Sequence, residues 1–377
     1  MLNSLRQLGS KLHYACTLLL AVLAIPTIQR LGLPMHVDWR GMLVVYATGM
    51  GTRSVLGALC FCVLALPFSQ TLGAFWERCR KQKARLVLLL AFLIIVLSCA
   101  RPLAVGILLA IDGLFLVELA ERGKTQGNSF LRRMISVLVS AAYLFLGIIL
   151  VLIYNDIIVA SRFPLSYDSA LNKVDLLIFF GRSVPDIAHA LFRVVPESPL
   201  RFLDFAYFQM FTVVGAAFLI SAYSSLTRGL QFAGACLTAY YIALPIFYIW
   251  PTYGPYIYCL GHAARYPHDL TSFVFQKGGI ADLQAISQRH IRTVANLYFI
   301  AFPSLHVALP VIAMWFLRRW RAVFWLLGAY SAVVACAVVV LEWHYALDIP
   351  GGIAVAALAL AIVRAEPVQL PEEINLK

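Results

Sequence analysis

The chain of 377 residues is 62% hydrophobic and 13% charged, with a mean hydropathy of +0.83, against roughly 45–50% apolar and 25% charged residues in a soluble domain. These values exclude a soluble globular protein, and apolar runs that repeatedly reach about 18 residues exclude a lipid-facing barrel, whose strands alternate. A net charge of +12, from 30 Lys and Arg against 18 Asp and Glu, raises the question of nucleic acid; the cations cluster between apolar runs, where the positive-inside rule puts cytoplasmic loops, so no nucleic-acid partner is expected.

With Arg6 and Lys11 inside, outward spans are predicted at residues 13–29, 84–100, 134–154, 230–250 and 322–342. Inward spans follow at 54–75, 102–119, 205–227, 298–317 and 349–364. The cluster Arg78, Arg80, Lys81, Lys83 and Arg85, the cluster Arg122, Lys124, Arg132 and Arg133, and the cluster Arg318, Arg319 and Arg321 then all lie on the cytoplasmic side. The predicted fold class is an all-α polytopic membrane protein of about ten transmembrane helices. Residues 1–133 form an N-terminal four-span region of unassigned role, 134–364 a six-span unit, and 365–377 a cytoplasmic tail. Asp112 falls near mid-membrane, where a charge is costly and marks either function or a neutral packing residue.

Two outer segments carry the polar residues. Residues 155–204 are too polar to span and too apolar for a free linker, so they are predicted as short amphipathic helices lying in the interface. Residues 251–297 run from Pro251-Thr252-Tyr253-Gly254-Pro255 through His262, Arg265, His268, Lys277, Arg289, His290 and Arg292 into Phe302-Pro303-Ser304-Leu305-His306. Most cysteines lie in apolar runs and read as small hydrophobes. The chain has no Asn-x-Ser/Thr sequon, which favours a bacterial inner membrane, with the site facing the periplasm or exterior.

The chemistry gathers at two outer helix ends, Pro303-Ser304-Leu305-His306 and His344-Tyr345-Ala346-Leu347-Asp348. A double displacement at phosphorus needs a nucleophile, an orienting carboxylate and a proton shuttle. His344 supplies the nucleophile, Asp348 the hydrogen-bond acceptor for its other ring nitrogen, and His306 the acid and base. His344 and Asp348 either share one helix face or straddle a helix start, since Pro350 disfavours helix at Ile349. Pro303 and Ser304 before a helix start form an anion site, so Ser304 is a phosphate-binding candidate. Arg289 and Arg292 rank first as phosphate clamp, with Arg265 and Lys277 as rivals. No cofactor or metal is called for; His262, His268 and His290 match no familiar zinc spacing.

These residues resemble the type-2 phosphatidic acid phosphatase superfamily, and most closely its inositol phosphorylceramide synthase-like branch. The resemblance covers residues 134–364 and implies a six-helix phosphatidic acid phosphatase-like core plus interfacial helices on the outer face. It implies a phosphohistidine at His344, orientation by Asp348 and acid–base work by His306. Pro251 to Pro255 is similar to a proline-rich element of the synthase-like branch. Hydrolytic members of the family carry a Lys-x6-Arg-Pro motif, a Ser-Arg pair where Ala337 and Val338 stand here, and Gly where Leu305 stands. Their loss favours a branch that passes a phospho-headgroup to an alcohol. The implied partners are a phospholipid or polyprenyl-phosphate-type lipid donor and a hydroxyl acceptor on a lipid or glycan. A phosphatase using water is the alternative, and a transporter or lipid scaffold that retains the fold is a second.

Overall fold

A computed structural model describes residues 12–23, 128–259, 270–287 and 300–363. The predicted spans 54–75, 84–100 and 102–119, together with Asp112, lie outside the described residues. Among the described residues all regular structure is helical. Helix α1 is Leu12–Leu23 and α2 Asn128–Arg162. Then come α3 (Asp168–Ile178), α4 (Val184–Val194), α5 (Glu197–Phe208), α6 (Met210–Ser224) and α7 (Leu226–Ile249). The series ends with α8 (Pro255–Tyr258), α9 (Thr271–Ser287), α10 (Leu305–Phe316), α11 (Arg321–Val340) and α12 (Asp348–Val363).

Among the described residues, three helices are long and apolar enough to cross a membrane: the Ile135–Arg162 part of α2, α7 and α11. Helices α5 and α6, bent by 40° at Gln209, make a fourth if the pair is one span. These helices mark an integral membrane protein. The inward span predicted at 205–227 is thus broken at Gln209; on the α5 side of the break Asp204 accepts the Thr271 and Ser272 amides at the start of α9. Helix α2 also runs to Arg162, beyond the predicted end at 154; Ile157, Ile158 and Val159 are buried apolar residues on this extension, and Asn155 and Asp156 are buried beside them.

Helix α7 is the centre of the bundle and touches α2, α6, α10 and α12. Its mean hydropathy, 1.7, is below the 2.7 of α2 and 2.3 of α11 although it is the most buried of the three. Small residues explain this: Ala233, Gly234, Ala235, Ala239 and Ala243 let neighbours approach closely, whereas lipid-facing helices need bulk hydrophobes. Ser225 caps its start by accepting the Arg228 amide. Helix α1 joins the bundle through His13, whose Nδ1 lies 2.7 Å from the Tyr143 hydroxyl, and Thr17, 2.6 Å from that of Tyr241.

The two ends of the bundle carry different groups. Arg132, Arg133, Arg228, Arg318, Arg319 and Arg321 sit at or beside helix ends 128, 226, 316 and 321. Asp168, Asp175, Glu342 and Asp348 lie at the opposite end, with both histidine motifs. The starts of α10 and α12 meet closely there, and a Cβ on Gly352 would collide with the Ser304 carbonyl oxygen. Gly352→Ala is therefore expected to lower unfolding stability by about 1–3 kcal/mol, measured by denaturation in detergent. Gly278→Ala on α9, where a Cβ meets nothing within 4 Å, is the control and should not destabilise.

Candidate active site

Helix α11 stops at Val340, and the chain reverses over Leu341 to His344 so that the His344 amide bonds back to the Val338 carbonyl at 2.9 Å. Glu342 makes the reversal possible with a φ of 58°, a left-handed conformation that costs a non-glycine residue roughly 1 kcal/mol or more. Helix α12 then starts at Asp348 with Pro350 in its first turn, where a missing amide is tolerated. Of the two arrangements open from sequence, His344 and Asp348 straddle the helix start.

The His344 ring is almost fully buried. Its Nδ1 lies 2.7 Å from the Ala301 carbonyl and 3.1 Å from Asp348 Oδ2. A carbonyl oxygen only accepts, so the network assigns the proton of neutral His344 to Nδ1 and leaves the lone pair on Nε2. That Nε2 lies 3.4 Å from His306 Nδ1. The sequence-predicted residues His306, His344 and Asp348 are therefore in one cluster. The Tyr345 amide also donates to Asp348 Oδ2 at 3.0 Å, and the Ser304 amide to the Asp348 carbonyl at 3.2 Å.

His306 stands in the first turn of α10 and stacks on Tyr207 from α5, with centroids 4.4 Å apart and planes 21° from parallel. Tyr207 in turn stacks on Trp343 at 5.3 Å. Trp343 Nε1 donates to Ser272 Oγ, whose own hydroxyl donates to Asp204. The imidazole plane is thus fixed by an aromatic stack anchored on a buried carboxylate.

The other placements are mixed. Ser304 is the N-cap of α10; its side chain caps no amide, and its buried hydroxyl has no hydrogen-bond partner among the described residues. Lys277 is exposed on α9 with its ammonium 4.3 Å from the Phe273 ring centroid. Arg265, Arg289 and Arg292 lie outside the described residues, as do His262, His268 and His290.

Two carboxylates on α3 were not singled out from sequence as site residues. Asp168 accepts the amides of Tyr253 and Gly254 at 3.0 and 2.8 Å, the Tyr345 hydroxyl at 2.9 Å, and the Ser166 hydroxyl. Gly254 has a φ of 101°, and a Cβ there would lie 2.6 Å from the Trp343 carbonyl, so glycine is required for this turn to reach Asp168. The adjacent Thr252 continues the frame: its carbonyl accepts the Ala301 amide and its hydroxyl the Phe302 amide. Asp175, seven residues on and on the same face, accepts the Ala346 amide at 3.1 Å. An i, i+7 pair of aspartates in an otherwise amphipathic helix is the signal that could have found them. A buried Glu342 facing His189, 3.8 Å away, was missed as well.

Burial pushes the Asp168 carboxyl up, while its four donors pull it back. Burial likewise raises the Tyr345 hydroxyl, reinforced by the Asp168 charge, so Tyr345 keeps its proton and donates. Asp175 is pushed up to about 7 by burial and by the Asp348 charge, partly offset by the Ala346 amide. A carboxyl raised in the folded state binds its proton more tightly than the unfolded chain does. Its contribution to stability is complete below about pH 4 and is lost as pH rises through about 7. The thermal midpoint of the wild type is thus expected to fall between about pH 5 and pH 8 relative to Asp175→Asn, which lacks the titration. Parallel profiles would contradict this.

The family profile described as the PAP2 superfamily matches residues 181–362, a stretch that contains both histidine motifs. Neither the curated proteins nor the solved structures contain a match to the chain. Residues 181–362 are thus similar to the PAP2 superfamily, whose members are phosphatases or phosphotransferases, and the protein is an enzyme of that kind.

Proposed function

We propose that the protein moves a phospho-headgroup from a lipid donor to a hydroxyl acceptor through a phosphohistidine on His344. The observation that supports this most directly is the orientation of that ring: Nδ1 is engaged by Ala301 and Asp348, and the free lone pair of Nε2 faces His306.

In the first half-reaction Nε2 of His344 attacks phosphorus, the bond from phosphorus to the leaving oxygen breaks, and His306, entering the step as imidazolium, gives a proton to that oxygen and is left neutral. The imidazolium formed on His344 is stabilised by Asp348. In the second half-reaction His306 takes the proton of the acceptor hydroxyl, the acceptor oxygen attacks phosphorus, and the N–P bond returns its electrons to Nε2. A separation of 3.4 Å between the rings leaves no room for phosphorus between them. Donor entry must therefore open the pair by about 2 Å, so that phosphorus sits near Nε2 with the leaving oxygen turned toward His306.

The donor is a phospholipid or a polyprenyl-phosphate-type lipid. Helix α10, of 12 residues, covers about 18 Å, less than the roughly 30 Å hydrocarbon core. With arginines at its far end, its histidine end lies at a depth that the phosphate of a lipid reaches from its own leaflet. The arginine-rich end is cytoplasmic by the positive-inside rule, which turns the histidines toward the periplasm or exterior. Arg289 and Arg292 lead the candidates for the phosphate clamp. Transfer to an alcohol is preferred over hydrolysis because Ala337 and Val338 replace the Ser-Arg pair of the hydrolytic members.

Incubation with a donor labelled in its phosphoryl group is expected to leave an acid-labile, base-stable label on the wild type and none on His344→Ala. His306→Ala should slow turnover roughly 10²–10⁴-fold. Asp348→Asn should do so by a similar factor, through loss of the tautomer. Labelling that persists in His344→Ala would refute the nucleophile. With purified protein, product release should depend on an added lipid or glycan alcohol; water-soluble phosphate released without an acceptor would make the protein a phosphatase.

A further inference from the structure

Asp175 is fully buried on α3, upstream of the matched segment, and has no part in the chemistry above. Its neighbour in space is the turn that links the two halves of the catalytic motif. Two consecutive amides of that turn point at carboxylates: Tyr345 donates to Asp348 Oδ2 at 3.0 Å, and Ala346 to Asp175 Oδ1 at 3.1 Å. Asp348 Oδ1 is buried and has no hydrogen-bond partner among the described residues, so it is the acceptor that a released Ala346 amide would seek. Asp348 can hold His344 in line only while that second amide is satisfied elsewhere. A buried amide left unpaired costs about 1–3 kcal/mol, enough to redirect a carboxylate whose bond to the ring is 3.1 Å long.

We propose that Asp175 is a positioning residue for phosphoryl transfer: by accepting the Ala346 amide it keeps the 345–348 turn from drawing Asp348 away from His344. The claim rests on the phosphohistidine reading for its kinetic test, and on the structure alone for its spectroscopic one. Asp168 supports the same turn through the Tyr345 hydroxyl, two helical turns earlier on α3. One amphipathic helix thus holds both the tyrosine side chain and the following backbone amide. The orientation of His344 is set from outside the motif that contains it.

The experiment compares Asp175→Ala, Asp175→Asn and the exposed Ser169→Ala on the same helix, each as the full-length chain in detergent. Asp175→Ala is expected to lower kcat roughly 10–100-fold, as a small misplacement of a reacting group does, with KM for the lipid donor changed less than about threefold. Asp175→Asn keeps an oxygen for the Ala346 amide and should recover most of the lost rate, and Ser169→Ala should match the wild type. Nitrogen-15 spectra of labelled histidine should show His344 as the Nδ1-protonated tautomer in the wild type and in Asp175→Asn, and as a mixture in Asp175→Ala. If Asp175→Ala does not fold, Asp175→Glu, whose longer side chain displaces the acceptor, should show the same split.

Wild-type kcat and an unchanged tautomer in Asp175→Ala would overturn the proposal. So would equal losses in the Asn and Ala variants accompanied by a drop in thermal stability, the mark of a purely structural role. A wild type that forms no label on His344 would instead overturn the phosphohistidine reading, while the histidine spectra would still decide the role of Asp175.

Discussion

The site depends on the shared hydrogen bond at His344 Nδ1. A backbone carbonyl and a carboxylate converge on that atom, and because neither can donate, they decide together which ring nitrogen is bare. The contributing groups come from distant parts of the chain. Ala301 is held by Thr252, which neighbours the amides held by Asp168, while Asp348 is tied to Ser304 at the start of α10. The bonds in this series run from 2.7 to 3.2 Å and tie distant segments together where a reacting nitrogen has to be aimed.

The same network governs burial of charge. Four carboxylates stand close to the histidine end of the bundle, a costly arrangement in a protein with 13% charged residues. Asp168 is compensated by four donors, Asp348 by a ring and one amide, and Asp175 by one amide together with a raised proton affinity.

Much of this was legible in the residues themselves. Apolar run length located α2, α7, α11 and α12 to within a few residues at most ends, and the two histidine motifs stood out because each falls where such a run begins or ends. The frame around them was hidden for a physical reason. Asp168 and Asp175 act through backbone amides of residues 253, 254 and 346, and an amide leaves no trace in a sequence. The stack of Tyr207 on His306 joins α5 to α10 across about a hundred residues, and nothing in either stretch names its partner. The bend at Gln209 was invisible for a related cause, since no proline or glycine marks it in the run, and the contact of Asp204 with α9 beside it is a long-range one.

The similarity to known sequences begins at residue 181, whereas the hydrogen bonds of the site begin at 168. Excising the recognisable portion by itself would strand the amides of Tyr253, Gly254 and Ala346 and the hydroxyl of Tyr345 in a dry interior. Family resemblance marks where side chains took part in a shared chemistry, and the mechanical boundary of this enzyme lies at least one helix further upstream.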